Sequence, residues 1–156
     1  MKGKPKMNET TDGYIYFYID GDTLDPDMCT AHIGITPTSK HRKGDVIAEG
    51  WRFRRRTGSW QVELKNKELR EINTDTEALL DILLPAKSTI HTILQNKEIV
   101  AGIFCVVCVY DEKPCLKLSA ECLRKLSELG VDYEIDYYDY TKCDEQDDEP
   151  TKGNET

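Results

Sequence analysis

The sequence predicts an α+β fold, a mostly antiparallel sheet with helices packed on one face, its elements in the order β-α-β-β-α-β-(β)-α-β. Three observations predict it. Helix punctuation occurs twice, opening at Asp25-Pro26 and at Ser119 and closing at Gly34 and Gly130. Apolar and charged residues alternate between positions 51 and 65, as on a half-exposed antiparallel sheet. From Ile99 to Tyr110 the chain is apolar at both parities, as a central strand requires.

Residues 1–12 are polar, contain Pro5 and are expected to be a disordered N-terminal segment. Tyr14 to Ile19 is aromatic and β-branched, hence a strand, which Gly21 and Asp22 end. Asp25 caps the next helix, Pro26 suits its first position because that amide needs no intrahelical partner, and Leu24 staples against Cys29. Gly34 supplies the left-handed stop. Residues 35–50 form a long loop containing Pro37, Gly44 and Lys-His-Arg-Lys. Trp51 to Arg56 and Trp60 to Lys65 then form a hairpin around Thr57-Gly58-Ser59. In it Trp51 and Phe53 share one face, and Arg52, Arg54 and Arg56 share the other.

Asp75 to Gln95 has helical spacing through Leu79, Leu83, Ala86, Ile90 and Leu94. Pro85 must kink or split it, because proline lacks the helical donor. After the strand Ile99–Tyr110 come a turn at Asp111–Pro114, a short strand at Cys115–Leu118 (the bracketed one), and a helix from Ser119 to Leu129. The last strand, Val131 to Tyr138, carries Val131, Tyr133, Ile135 and Tyr137 on one face and Asp132, Glu134 and Asp136 on the other. The succession strand, cap, helix, glycine occurs twice, which suggests two related strand–helix units and a ferredoxin-like layout. Residues 13–140 are thus expected to form a single domain, with 141–156 as a disordered acidic tail.

The net charge of −8 resides in that tail and the last strand: from Val131 onward there are ten acids against two lysines, and the rest of the chain is neutral. Lys40 to Arg56 is by contrast a basic stretch, so the chain has a basic middle and an acidic end. No apolar stretch follows the opening basic residues, and the run 99–110 is too short to span a bilayer, so a cytoplasmic location without membrane partners is expected. With no secretion signal, the six cysteines are expected to be reduced thiols.

No catalytic motif is present. Cys105-x-x-Cys108 has the spacing of half a zinc site. It lies inside a strand, however, where residues three apart point to opposite faces. Asp20, Asp22, Asp25 and Asp27 could suggest a cation loop, but they lack EF-hand spacing and are accounted for by turn and cap chemistry. His32, His41 and His91 are scattered. Neither a cofactor nor a metal is therefore expected. Two surfaces remain. Arg52, Arg54 and Arg56 could grip phosphates or carboxylates, or pair with the chain's own acids. Asp132, Glu134 and Asp136, interleaved with Tyr133, Tyr137, Tyr138 and Tyr140, could hold a basic protein, or the tyrosines could line the core while the acids are solvated.

The stretch from Tyr16 to Asp45, YFYIDGDTLDPDMCTAHIGITPTSKHRKGD, resembles the opening of the bacterial family known as domain of unknown function 4279. That opening has a strand, a Gly-Asp step, Leu-Asp-Pro, a short helix, a Gly-Ile-x-Pro-Thr segment and a Lys-Gly-Asp loop. Trp51 or Trp60, the Leu79–Leu94 helix, and Leu118-Ser119 through Gly130 continue the resemblance. It brings no catalytic residues and implies an immunity or antitoxin-like role. The function expected is a non-catalytic protein-binding module, an inhibitor of a basic partner such as a toxin, acting through Asp132, Glu134, Asp136 and Tyr138. The alternatives are an anion- or nucleic-acid-binding regulatory module using Arg52, Arg54 and Arg56, and a small metal protein or enzyme using Cys105, Cys108 or the early aspartates.

Overall fold

The computed structural model describes residues 11–64, 71–110 and 115–141. Most of the N-terminal segment, the turn 111–114 and the acidic tail beyond Thr141, all expected from sequence, lie outside the described residues. In chain order the elements are β1 (Thr11–Gly21), α1 (Pro26–Ile33), β2 (Ser39–His41), β3 (Gly58–Glu63), α2 (Ile72–Leu83), a 3-10 turn (Leu84–Ala86), α3 (Lys87–Ile93), β4 (Ile99–Val109), α4 (Ala120–Leu129) and β5 (Asp132–Asp139). The fold is α+β, and the sheet has the order β2-β3-β1-β4-β5. Every pair is antiparallel except β4 with β5, which run parallel with α4 as their crossover. In a ferredoxin-like layout another strand separates the two strands of each unit. Here β4 and β5 are neighbours, so the likeness is confined to the succession of strands and helices.

The local signals act where the sequence put them. Asp25 Oδ1 accepts from the amides of Asp27 at 3.0 Å and Met28 at 3.3 Å, Pro26 takes the first helical position, and Gly34 stops α1 at φ +75°. Ser119 Oγ accepts from the Cys122 amide at 3.0 Å, and Gly130 stops α4 at φ +71°. Pro85 sits in the 3-10 turn that separates α2 from α3. Its ring would crowd the carbonyl four residues back, so one continuous helix cannot form.

Two expected strands are absent. Residues 51–56 form no strand: the segment loops outward with one isolated bridge, Val46 to Arg54, and Trp51 and Phe53 are 61% and 71% exposed. The outer partner of β3 is β2, with Ser39 opposite Gln61 and His41 opposite Ser59. That edge of β3 is therefore occupied, and Trp51 and Phe53 have no sheet face to bury against. Residues 115–118 also form no strand. Both edges of β4 are taken by β1 and β5, so this segment serves only as the link into α4.

The sheet's two faces differ. On one, Ile15, Phe17 and Ile19 of β1, Trp60 and Val62 of β3, and Ile103, Cys105 and Val107 of β4 are buried against the helices. Cys29, Leu79, Leu80, Leu83, Ile90, Cys122, Leu126 and Leu129 complete this single core from the helix side. Phe17 meets Trp60 edge to face at 6.3 Å, and the Trp60 indole donates to Thr30 Oγ1 at 3.0 Å. On the other face no described helix or strand packs.

Candidate functional site on the open face of the sheet

The period of two that buries Ile15, Phe17 and Ile19 must turn Tyr14, Tyr16, Tyr18 and Asp20 to the opposite face. Strand register then decides their neighbours. Tyr16 faces Phe104, Tyr18 faces Gly102, and Gly102, Phe104, Val106 and Cys108 sit beside Asp132, Glu134, Asp136 and Tyr138. Toward the other edge, Glu63 lies opposite Tyr16 and Gln61 opposite Tyr18. The open face is therefore an aromatic stripe along β1 with carboxylates on both flanks. Positions of β1, β3, β4 and β5 that point to it include no lysine or arginine.

The rings form an ordered surface. Tyr14 stacks on Tyr16 at 6.0 Å, and Tyr16 meets Phe104 at 5.5 Å. At the far end Tyr138 stacks on Tyr140 at 6.2 Å, and Tyr140 stacks on Tyr110 at 5.3 Å. Gly102 permits the central contact: a Cβ there would come within 2.8 Å of the Tyr18 hydroxyl, so without one the ring lies across β4. Its hydroxyl reaches Glu134 Oε1 at 2.7 Å, and Tyr138 donates to Asp136 Oδ2, also at 2.7 Å.

These contacts govern protonation. Partial burial raises the Tyr16 phenol, helped by the field of Tyr14, Asp20 and Glu134. Burial and then the bond to Glu134 raise Tyr18 strongly, and the bond to Asp136 raises Tyr138. The raised phenols keep their protons, and those of Tyr18 and Tyr138 donate to Glu134 and Asp136. Such a surface offers acceptors and π-faces, which suits ammonium and guanidinium groups and repels phosphate.

At the β1 end, Asp20, Gly21, Asp22, Thr57, Glu98 and Val100 line a recess of about 340 Å³. The acidic row expected from sequence, Asp132, Glu134 and Asp136, lies together on the open face beside Tyr138. Tyr133 instead turns into the core, its hydroxyl 2.8 Å from Thr76 Oγ1, and Tyr137 lies on the helix side. Sequence reasoning did not assign Tyr14, Tyr16, Tyr18 and Phe104 to this surface. Strict alternation in Tyr14-Ile15-Tyr16-Phe17-Tyr18-Ile19 was the available signal.

The basic middle of the chain is arranged differently. Lys40 and Arg42 pair with Asp27, Arg42 also lies 3.0 Å from Asp25, and Lys43 pairs with Asp22. Asp25 thus caps a helix, and Asp22, Asp25 and Asp27 anchor β2 and the loop that follows it. Arg52, Arg54 and Arg56 are exposed in the 42–57 loop, and Arg54 donates to the Gly44 carbonyl at 2.9 Å. Without a strand there, they do not form the row the alternation predicts.

Cys105 and Cys108 occupy opposite faces of β4, as a strand dictates, and burial pushes the Cys105 thiol up to about 11. His91 Nε2 lies 2.7 Å from the Leu129 carbonyl, a contact between α3 and the end of α4. Among the described residues no group of three or more His, Cys, Asp or Glu side chains is placed to hold a metal ion. None of the described helices is long and apolar enough to cross a membrane.

A family model described as a domain of unknown function, DUF4279, matches residues 8–140. No curated protein and no solved structure matches the chain.

Proposed function

The chain belongs to the DUF4279 family of domains of unknown function, and from the open face of its sheet we propose that it is a non-catalytic module that binds a basic protein. The form we favour is a bacterial immunity or antitoxin-like inhibitor acting in the cytoplasm. One observation carries this reading. A single sheet face that no described helix or strand covers joins Tyr14, Tyr16, Tyr18, Phe104 and Tyr138 to Asp132, Glu134 and Asp136, with no lysine or arginine among its positions on β1, β3, β4 and β5. Rigid aromatic side chains supply contact area at low entropic cost, and the flanking carboxylates steer and orient a cationic partner.

The test compares binding of a basic candidate partner, such as the product of an adjoining gene, by the wild-type chain and by the Asp132→Lys, Glu134→Lys, Asp136→Lys variant. Affinity should fall on the order of 100-fold, with much of the loss in the association rate and fading as salt rises. Unchanged binding rejects this surface.

A second reading rests on the exposed Trp51 and Phe53 interleaved with Arg52, Arg54 and Arg56. Aromatic and guanidinium groups alternating on a loop suit a single-stranded nucleic acid or another anion. Salt-sensitive RNA binding that is lost in Arg54→Glu and kept in the triple lysine variant would favour it over the first.

A further inference from the structure

β5 lies at the end of the sheet, and among the described strands it pairs with β4 alone. Its eight residues, DYEIDYYD, hold an unbroken register with β4 from Asp132 to Asp139. Such an edge leaves alternate N–H and C=O groups pointing outward, ready to pair with another strand. The opposite edge, β2, is only three residues long. β5 has no proline, no lysine and no bulge; its protection as an edge is acidic charge, which turns away another acidic strand and not a basic one. Its two faces differ in chemistry. Asp132, Glu134 and Asp136 stand on the open side, while Ile135 and Tyr137, on the helix side, are 44% and 39% exposed because the helices do not cover the outer margin of the sheet.

Resting on the basic-partner reading above, we propose that β5 takes up an extended segment of that partner as a sixth strand. The segment has Lys or Arg at every second position, facing Asp132, Glu134 and Asp136, and apolar residues between them, facing Ile135 and Tyr137. Cross-strand neighbours on each face make the complementarity, and main-chain hydrogen bonds supply affinity that does not depend on the partner's exact sequence. The same charges argue against a second copy of this chain as occupant. Two β5 strands paired side by side would put both acidic rows on one face, carboxylate against carboxylate.

The test uses three synthetic peptides and the full chain. One alternates lysine and valine, the second has the same composition with its lysines and valines in separate blocks, and the third is the alternating peptide N-methylated along one backbone edge. The alternating peptide should bind at least ~10-fold more tightly than the blocked one, and N-methylation on the pairing edge should abolish that advantage. Amide exchange in 132–138 should slow in the complex. Equal binding of the alternating and blocked peptides, or unchanged exchange of the β5 amides, overturns strand addition and leaves the basic-partner reading standing. Failure of every peptide to bind at low salt overturns both.

Discussion

A single missing methyl group organises the open face. Tyr18 crosses to Glu134 because Gly102 leaves the path clear, and Glu134 is thereby held at one orientation beside Asp132 and Asp136. Replacing Gly102 with valine should push the ring off the sheet and break that bond. The Tyr18 phenol should then ionise at lower pH, which phenolate absorbance reads directly; an unmoved titration would contradict the contact. Thiol chemistry offers a second check at this scale. Cys105 is buried with its thiol raised to about 11, whereas Cys115 is exposed. The thiolate is the reactive form, so limited alkylation of the folded protein should label Cys115 and spare Cys105 until the chain unfolds. Equal labelling of the two would show that the core does not close over β4.

At the scale of elements, the two tryptophans report the difference between the hairpin that alternation predicts and the loop that forms. Trp60 is fully buried under α1, and Trp51 is largely exposed. Trp60→Ala should cost about 3–5 kcal/mol, the range for truncating a large buried ring. Trp51→Ala should change stability by no more than ~0.5 kcal/mol, as at an ordinary surface site. Denaturant unfolding distinguishes them, and a large loss at Trp51 would mean that 51–56 packs as a strand. The helix caps are a separate matter, since their signals act within one turn. Ser119→Ala removes the acceptor for the Cys122 amide and should cost about 1 kcal/mol in the same assay.

For the whole molecule, stability should be limited at both ends of the pH scale by different groups. Hydrogen bonds from Arg42 hold Asp25 below the usual carboxylate range, bonds from Lys40 and then Arg42 hold Asp27 there, and Lys87 does the same for Glu128. A lowered folded value stabilises above the unfolded pKa, and that contribution is lost as pH falls through the folded value. Tyr16, Tyr18 and Tyr133 are raised, chiefly by burial. Their contribution is complete below the unfolded phenol value of about 10 and disappears as pH rises above it. Denaturation midpoints measured across pH should therefore show a plateau that falls off in acid and again above about pH 10. A plateau extending well into alkali would contradict the burial of these phenols.

Neighbouring residues encode the local part of this fold. Asp25-Pro26 and Ser119 start their helices, Gly34 and Gly130 end them, Pro85 divides α2 from α3, and the alternation in β5 separates Asp132, Glu134 and Asp136 from Tyr133 and Ile135. Each of these signals is a dihedral preference, a cap or a period acting over a few residues. The tertiary structure decided which strands meet and which faces stay uncovered. Residues 51–56 alternate as a strand would, but β2 holds the edge they needed. The aromatic stripe of β1 and the acids of β5 form one surface only because β4 lies between them, bringing Tyr18 and Glu134 together across 116 residues of chain. Pairing between distant strands is a competition among all the available edges, and no local pattern records its outcome.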